Sequence, residues 1–158
     1  MAQFTTRPEI AGTFGVVTTT HWQASAVGMS VLEKGGNAFD AAAAVGFALQ
    51  IVEPHLNGPG GDMPIIFAPT GKPPQVICGQ GVAPEKATIA AYRDLGIDMI
   101  PGTGLLATVV PGAFDAWMIL LRDHGTMRLG EVMGYAIELA RHGCPLIARV
   151  QNTIEGVK

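Results

Sequence analysis

Charge and sulfur are both scarce in this chain, and each shortage excludes a class of function. Only 15% of the 158 residues are charged, and the formal net charge is −3 at pH 7. Without a run of Lys and Arg to form a basic face, we expect no nucleic-acid partner. The two cysteines, Cys78 and Cys144, lie far apart and form no paired-ligand spacing, so we predict neither a metal site nor a disulfide framework. We interpret both thiols as buried.

A leader peptide and a membrane span are also missing from the sequence. Residues 1–10 have no basic head followed by an apolar core, which predicts no secretory signal and a cytoplasmic protein, or a periplasmic one whose signal has been removed. The most apolar segment, residues 38–52, is shorter than the roughly 20 residues that span a bilayer, so we expect no membrane partner. With 48% hydrophobic residues, the chain can bury a core as one domain, or part of one, without an internal boundary.

An apolar helix between two glycine-rich corners organises the chain. Residues 38–52 are Ala, Val, Leu, Ile or Phe at all but three positions, which predicts a helix buried on most sides. The corner after it has the sequence Asn57-Gly58-Pro59-Gly60-Gly61-Asp62. Its paired glycines predict positive φ or a close approach of other backbone, at a ligand site or at a plain tight turn. A phosphate loop is less favoured, because such loops follow a strand and precede a helix.

The remaining hydrophobic patterns predict further strands and helices. In chain order they are a strand at 13–19, a helix from Thr20 to Lys34, hairpin strands at 64–68 and 75–78, a helix at 87–95, a buried strand at 105–110, helices at 113–123 and 129–141, and a helix from Leu146 that is still running at Lys158. Three helices carry faces expected to be buried: Ala26, Met29, Val31 and Leu32; Ile89, Ala90 and Tyr92; and Phe114, Trp117, Met118 and Leu121.

Polar residues near the glycine segments are the candidates for a site. Gln80 stands between two glycines at the end of the second hairpin strand, where its amide can offer a donor and an acceptor, or simply cap the strand. His55 lies at the glycine corner and is a weaker candidate. We interpret the other three histidines as structural, His21 at a helix start and His124 and His142 at helix ends.

Three phrases occur in order along the chain: Leu32-Glu33-Lys34-Gly35-Gly36-Asn37-Ala38-Phe39-Asp40-Ala41-Ala42, then Val52-Glu53-Pro54-His55, then Asn57-Gly58-Pro59-Gly60-Gly61-Asp62. Together they resemble the gamma-glutamyltranspeptidase family, including its cephalosporin acylase branch. The resemblance implies an α/β (α+β) fold, the four-layer αββα sandwich of N-terminal nucleophile hydrolases. It also implies a precursor that cuts itself into two subunits, with residues 1–158 as the front part of the large one.

Further expectations about the chemistry follow from this resemblance. The N-terminal Thr or Ser of the small subunit would be the nucleophile, so we expect no catalytic residue in this chain, no cofactor, and a small-subunit partner from the same precursor. The substrate would be a small acyl amide, cleaved by hydrolysis or transferred to an amine. Four residues of the corner are expected to shape the site without touching the reacting atoms: Asn57, Gly60, Gly61 and Asp62.

At the position matching Gln80, four residues ahead of the proline in the pattern ending Ala-Pro, the family's transpeptidases carry an Arg that pairs with the α-carboxylate of the glutamyl group. Gln lacks the fixed charge and the bidentate fork of Arg. We therefore predict that Gln80 binds substrate. The acyl group is expected to be γ-glutamyl or glutaryl-like, and Gln80 favours the glutaryl-like group. Two alternatives stay open: a scaffold or binding subunit without catalysis, and a nucleotide-binding module built on the glycine corners.

Overall fold

The computed structural model describes residues 9–156 and combines helices with one small sheet. Its elements are α1 (Trp22–Glu33), α2 (Ala38–Val52), β1 (Met63–Phe67), β2 (Gln75–Gly79), α3 (Ile89–Asp94), a 3-10 turn (Leu105–Ala107), α4 (Ala113–His124), α5 (Leu129–His142) and α6 (Ala148–Gly156). The expected mixture of helices and antiparallel strands is confirmed. The four-layer sandwich stays a prediction, because the described residues form one two-stranded sheet.

Helix α2 is the centre of the core, as its composition predicts. It packs against α1, α4 and α5, and α4 in turn contacts both strands. Small residues allow the close approach. A Cβ on Gly46 would overlap the indole of Trp117, so glycine is required where α4 crosses α2. The buried core consists of Ala24, Val27, Val31, Ala41, Ala43, Ala44, Phe47, Ala48, Trp117, Leu120, Val132 and Ala136.

The start of α2 is fixed by a reciprocal cap. The Asn37 side chain accepts hydrogen bonds from the backbone N–H groups of Phe39 and Asp40, and the Asp40 carboxylate accepts the backbone N–H of Asn37 at 2.9 Å. This capping box satisfies donors that the first turn of a helix cannot pair internally. It explains why the helix begins at Ala38.

Asp40 also ties α2 to the loop between α4 and α5. Its carboxylate is fully buried and accepts the backbone N–H groups of Thr126 and Met127 and the Thr126 hydroxyl at 2.7 Å. Burial alone would raise the pKa of Asp40, but the bonds from Thr126, Asn37 and Met127 together hold it below its usual value. A buried carboxylate with this many donors is stable in its charged form.

The hairpin has one face on the core and one face outward. Strand β1 pairs antiparallel with β2, with Met63 opposite Gly79 and Phe67 opposite Gln75. Met63, Ile65, Phe67 and Ile77 pack against the helical core. On the other face Ile66 and Val76 stand opposite each other and are 77% and 65% exposed.

Two predicted strands are wrong. Residues 13–19 alternate between half-buried and exposed positions as a strand would, but they form no ladder in the described chain. Residues 105–110 contain only the 3-10 turn, and Leu105 is 92% exposed. An apolar run becomes a strand only where another strand pairs with its backbone, and residues 9–156 supply none beside either segment.

Several predicted buried faces also need correction. Helix α3 buries none of its residues, and Ile89 is 73% exposed. The thiols are not buried either, since Cys78 is exposed and Cys144 half-buried. In α1 the buried residues are Ala24, Val27, Gly28 and Val31. In α4 they are Ala113, Ala116, Trp117 and Leu120.

Two expectations concern residues at the ends of the chain. Most of the segment examined for a signal sequence, and the continuation of the last helix at Lys158, lie outside residues 9–156. Within that range no helix combines the length and the apolar character needed to cross a membrane.

Candidate functional site

Three glycine-containing segments meet at one end of the hairpin, and we call them the glycine junction: residues 57–62, 79–81 and 111–112. The carbonyl oxygen of Gly61 accepts the backbone N–H groups of Gly112 and Ala113 at 3.3 and 3.1 Å. These are the first donors of α4, whose cap residue Gly112 contributes no side-chain bond. The corner after α2 is thereby attached to the start of α4.

The contacts within the junction are backbone against backbone. A Cβ on Gly112 would lie 2.5 Å from the carbonyl oxygen of Gly79. A Cβ on Gly79 would lie 2.5 Å from the carbonyl oxygen of Met63 and from the Cβ of Ala116. Gly81 has φ +76°, and a Cβ there would overlap the carbonyl oxygen of Val110. Only glycine fits at these three positions.

The glycines singled out from the sequence behave differently. Neither Gly60 nor Gly61 has positive φ, so that expectation is wrong. A Cβ on Gly61 would lie 3.2 Å from the carbonyl oxygen of Gly58, which is a tight contact within the same loop, whereas Gly60 faces open space. Other backbone does approach Gly61 closely, because its carbonyl oxygen accepts the N–H groups of Gly112 and Ala113. The positions where a neighbouring segment leaves no room for a Cβ are Gly79, Gly81 and Gly112.

Asn57 is a capping residue of α2. Its side-chain amide donates to the carbonyl oxygens of Glu53 and Leu49 at 3.1 and 3.4 Å. These two carbonyl oxygens also accept the backbone N–H groups of Leu56 and Glu53, respectively, so the Asn57 amide adds a second hydrogen bond to each. The bond anchors the corner to the helix end.

Gln80 and Asp62 emerge together at the junction. Asp62 precedes Met63 and Gln80 follows Gly79, and Met63 and Gly79 are the last paired residues of the hairpin. Both side chains are exposed. The Gln80 Oε1 atom lies 3.7 Å from the Cys78 thiol, which donates a weak hydrogen bond to it. Two of the predicted site residues thus lie at one end of the sheet.

The histidines divide into two groups. His21 caps α1, with Nδ1 accepting the backbone N–H of Gln23 at 3.2 Å. His124 and His142 end α4 and α5, and the Nε2 atom of His142 lies 3.0 Å from Glu138. These three have the structural positions predicted for them. In His55 both ring nitrogens are buried and have no partner in the described part of the chain.

Sequence reasoning missed Glu53 and the junction glycine Gly112. Glu53 is only 4% exposed and accepts a hydrogen bond from the Thr20 hydroxyl, which links the end of α2 to the start of α1. In the sequence, Glu53 stands in the phrase Val52-Glu53-Pro54-His55 as the residue before a proline, which gives no sign that it is buried. Gly112 carried a signal that could have been used, since a glycine at the start of a predicted helix leaves room for another backbone.

No group of three or more His, Cys, Asp or Glu side chains within residues 9–156 is arranged to hold a metal ion. The junction offers backbone amides, the side-chain amides of Asn57 and Gln80, and the carboxylate of Asp62. Such groups can position a polar organic molecule by hydrogen bonding.

Comparison with known families decides the relationship. The gamma-glutamyltranspeptidase model matches residues 24–157, which is most of the chain. This chain belongs to the gamma-glutamyltranspeptidase family. It is 38% identical over 88% of its length to the glutathione hydrolase-like YwrD proenzyme of Bacillus subtilis, and 38% identical over 98% to the acylase ACY 1 proenzyme of Pseudomonas sp. (strain SE83).

Solved structures agree with the family assignment. LmbA2991HD matches 98% of this chain with a TM-score of 0.94 and 59% identity, and the match covers 27% of that chain. The gamma-glutamyltranspeptidase of Helicobacter pylori matches 94% of this chain with a TM-score of 0.86 and 32% identity, covering 44% of that chain. This chain spans 26% of the YwrD proenzyme and 29% of the acylase ACY 1 proenzyme, that is, about a quarter of their length.

Proposed function

We propose that this chain is the front part of the large subunit of an enzyme that cleaves small acyl amides and passes the acyl group to water or to an amine acceptor. The family assignment supports this reading, because the relatives are named as hydrolases and acylases. The glycine junction supports it structurally: it holds Gln80 and Asp62, the polar residues expected near an acyl group, at one end of the hairpin.

The proposed chemistry needs a partner subunit. An N-terminal Thr or Ser of that subunit would attack the amide carbonyl, with its own α-amine accepting the hydroxyl proton. The amine product would leave, and water would then attack the acyl-enzyme ester and release the acid. Backbone N–H donors would stabilise the oxyanion in both steps. No residue of this chain is assigned to bond making or breaking.

The exposed apolar surface supports the presence of that partner. Ile66 and Val76 form the outward face of the hairpin, and Leu105 and Met99 are more than four-fifths exposed. Of these residues, Ile66 and Val76 are paired neighbours, and an exposed apolar patch can mark a site where other protein packs. We propose that the remainder of the precursor covers it and completes the four-layer αββα sandwich.

Gln80 is the proposed acyl-binding residue. Its amide is neutral and exposed at the junction, so it can donate one hydrogen bond to a carboxylate but cannot form the two charge-assisted bonds that Arg forms. A γ-glutamyl group presents an α-carboxylate and an α-ammonium together, whereas a glutaryl group presents only a terminal carboxylate. Gln80 therefore favours glutaryl-like amides over γ-glutamyl amides.

The test is to exchange Gln80 for the residue that the family's transpeptidases carry. In the two-chain protein, Gln80→Arg should shift the ratio of kcat/KM for γ-glutamyl anilide over glutaryl anilide upward by about tenfold, since that requires only about 1.4 kcal/mol of differential transition-state binding. Gln151→Arg, on the exposed helix α6, is the control and should leave the ratio unchanged. An unchanged ratio in a folded and processed Gln80→Arg protein would remove Gln80 from the acyl site.

The same preparation distinguishes an enzyme from a scaffold. Intact-mass measurement and N-terminal sequencing should find a second chain beginning with Thr or Ser. Residues 1–158 expressed alone should be inactive and poorly folded, because their exposed apolar surface would lack cover. A single uncut polypeptide with no hydrolytic activity on either anilide would favour the scaffold instead.

A further inference from the structure

We infer that Cys78 is a positioning residue for Gln80, and that it restricts the acyl group to one that offers a hydrogen-bond acceptor. This inference rests on the proposed function, because it concerns the same acyl site. It begins from the contact between the thiol of Cys78, in β2, and the amide of Gln80, the residue that follows the end of β2.

The backbone around Gln80 leaves it little freedom. Gly79 is confined by the carbonyl oxygen of Met63 and the Cβ of Ala116, and Gly81 is held at φ +76° against the carbonyl oxygen of Val110. The backbone before and after Gln80 is therefore fixed by contacts that admit no side chain. What remains adjustable is the rotation of the Gln80 side chain itself, which has three torsions.

Cys78 fixes one end of that side chain. Its thiol is exposed and donates to the Oε1 atom of Gln80 at 3.7 Å. A side-chain amide has one acceptor oxygen and one NH₂ group. With Oε1 directed at the thiol, the NH₂ group is the part left to meet a ligand. The Gln80 amide therefore selects a carbonyl or carboxylate oxygen at this point of the acyl chain, because it presents no free acceptor to an ammonium group.

The orientation of the Gln80 amide decides which ligand group it can bind. Without the thiol contact the amide could turn its oxygen outward and would then bind a donor as readily as an acceptor. Asp62, at the same end of the hairpin, carries a negative charge that repels a ligand carboxylate, so a correctly directed NH₂ group is needed to hold one. The thiol contact favours that orientation, and Cys78 thereby narrows specificity without touching the substrate.

The kinetic test uses the full processed protein and two anilides that differ only at the end of the acyl chain. Glutaryl anilide carries a terminal carboxylate, and pentanoyl anilide carries a methyl group in its place. We define the preference as the ratio of kcat/KM for glutaryl anilide over pentanoyl anilide. Cys78→Ala should lower this ratio about threefold, which is the size of effect expected for a weak hydrogen bond. Cys78→Ser, which keeps a donor, should retain the preference, and pentanoyl hydrolysis should be unaltered in both.

A double-mutant cycle separates positioning from a structural role. Gln80→Met removes the amide and should abolish the preference, and adding Cys78→Ala to it should cause no further change. Equal losses on both anilides, or a loss that persists in the Gln80→Met protein, would overturn the inference. So would a Cys78→Ala protein with the full preference.

A spectroscopic measurement reads the contact without relying on catalysis. Hydrogen bonding lowers the Raman S–H stretching frequency, and Cys144→Ala leaves Cys78 as the remaining thiol of this chain. In that background, Gln80→Met should change the position and width of the Cys78 band, because water replaces a single fixed acceptor at the exposed thiol. An identical band would overturn the inference. A shifted band in a protein that hydrolyses neither anilide would overturn the proposed function, and with it the role of Cys78 in specificity.

Discussion

The four-helix core and residues 82–110 are both rich in apolar side chains, yet their burial is opposite. Helices α1, α2, α4 and α5 bury Val31, Phe47, Leu120 and Val132 almost completely. Residues 82–110, all within the described range, include no buried residue. The core is closed by helices of the same chain, whereas no element within residues 9–156 covers the second region enough to bury a residue of it. Apolar composition indicates that a segment will be covered, but the covering element can lie on another polypeptide.

The largest expected effect is at Asp40, which holds the core together from inside. Asp40→Ala should lower the free energy of unfolding by about 3 kcal/mol, because it leaves the buried donors of Asn37, Thr126 and Met127 without an acceptor. Urea unfolding of the two-chain protein measures this. Asp123→Ala, which removes an exposed pair with Arg122, should have no measurable effect. A small loss at Asp40 would show that the helical core does not depend on its buried polar link.

The next effect compares two glycines with similar backbone and different surroundings. Gly81 and Gly71 have φ of +76° and +72°, but only Gly81 is packed against other backbone. Gly81→Ala should lower the free energy of unfolding by about 1–3 kcal/mol more than Gly71→Ala does. Both substitutions place a side chain at positive φ, but only the one at position 81 also brings its Cβ into the Val110 backbone. Thermal unfolding provides the comparison. Equal losses of stability in the two variants would mean that the backbone of the junction rearranges at little cost and does not hold Gln80 in place.

Lowering the pH should reduce the stability of the helical core through protonation of Asp40. The pKa of Asp40 is lowered in the folded protein, so its stabilisation is fully present above the ordinary carboxyl pKa of about 3.9. It is lost as the pH falls through the lower, folded pKa, because protons then bind the unfolded chain more strongly. As the pH is lowered from 5 through the ordinary carboxyl pKa, the free energy of unfolding should therefore fall less for Asp40→Asn than for the unmodified protein. Parallel curves would contradict this assignment.

The effect expected at Leu105 depends on the partner. In the two-chain protein, Leu105→Ser should lower the free energy of unfolding by about 1.5–3 kcal/mol, because we propose that the partner covers this side chain, which is 92% exposed in this chain. Leu120→Ser, in the helical core, should lower it by more, because Leu120 is buried within this chain. Urea unfolding of the two variants makes the comparison. A loss below about 0.5 kcal/mol for Leu105→Ser is typical of a side chain that stays in water and would contradict cover by the partner.

Sequence-based prediction of secondary structure was most accurate where the residues that begin and end an element are its immediate neighbours in the chain. Both ends of α2 agree with the prediction, because Gly35 and Gly36 precede it and Pro54 follows it, and a helix start needs only local caps. The strand expected at 105–110 failed because strand formation depends on a second backbone that the sequence does not identify.

Prediction of the candidate site was partial for a related reason. Gln80 could be chosen because it stands between two glycines, a local signal. The need for glycine at Gly79 and Gly112 comes from segments more than 30 residues apart that meet only in the fold. Their spacing along the chain gave no sign of that contact.

The bond between Asp40 and Thr126 also has a consequence for the order of folding. It joins residues 86 positions apart, and contacts of such long sequence separation form late because a large loop must close first. The first turn of α2 cannot acquire its full set of hydrogen bonds until α4 and α5 have docked. We expect the middle of α2 to become protected early and its start only in the last step, so that the helix is completed from its far end toward Asn37.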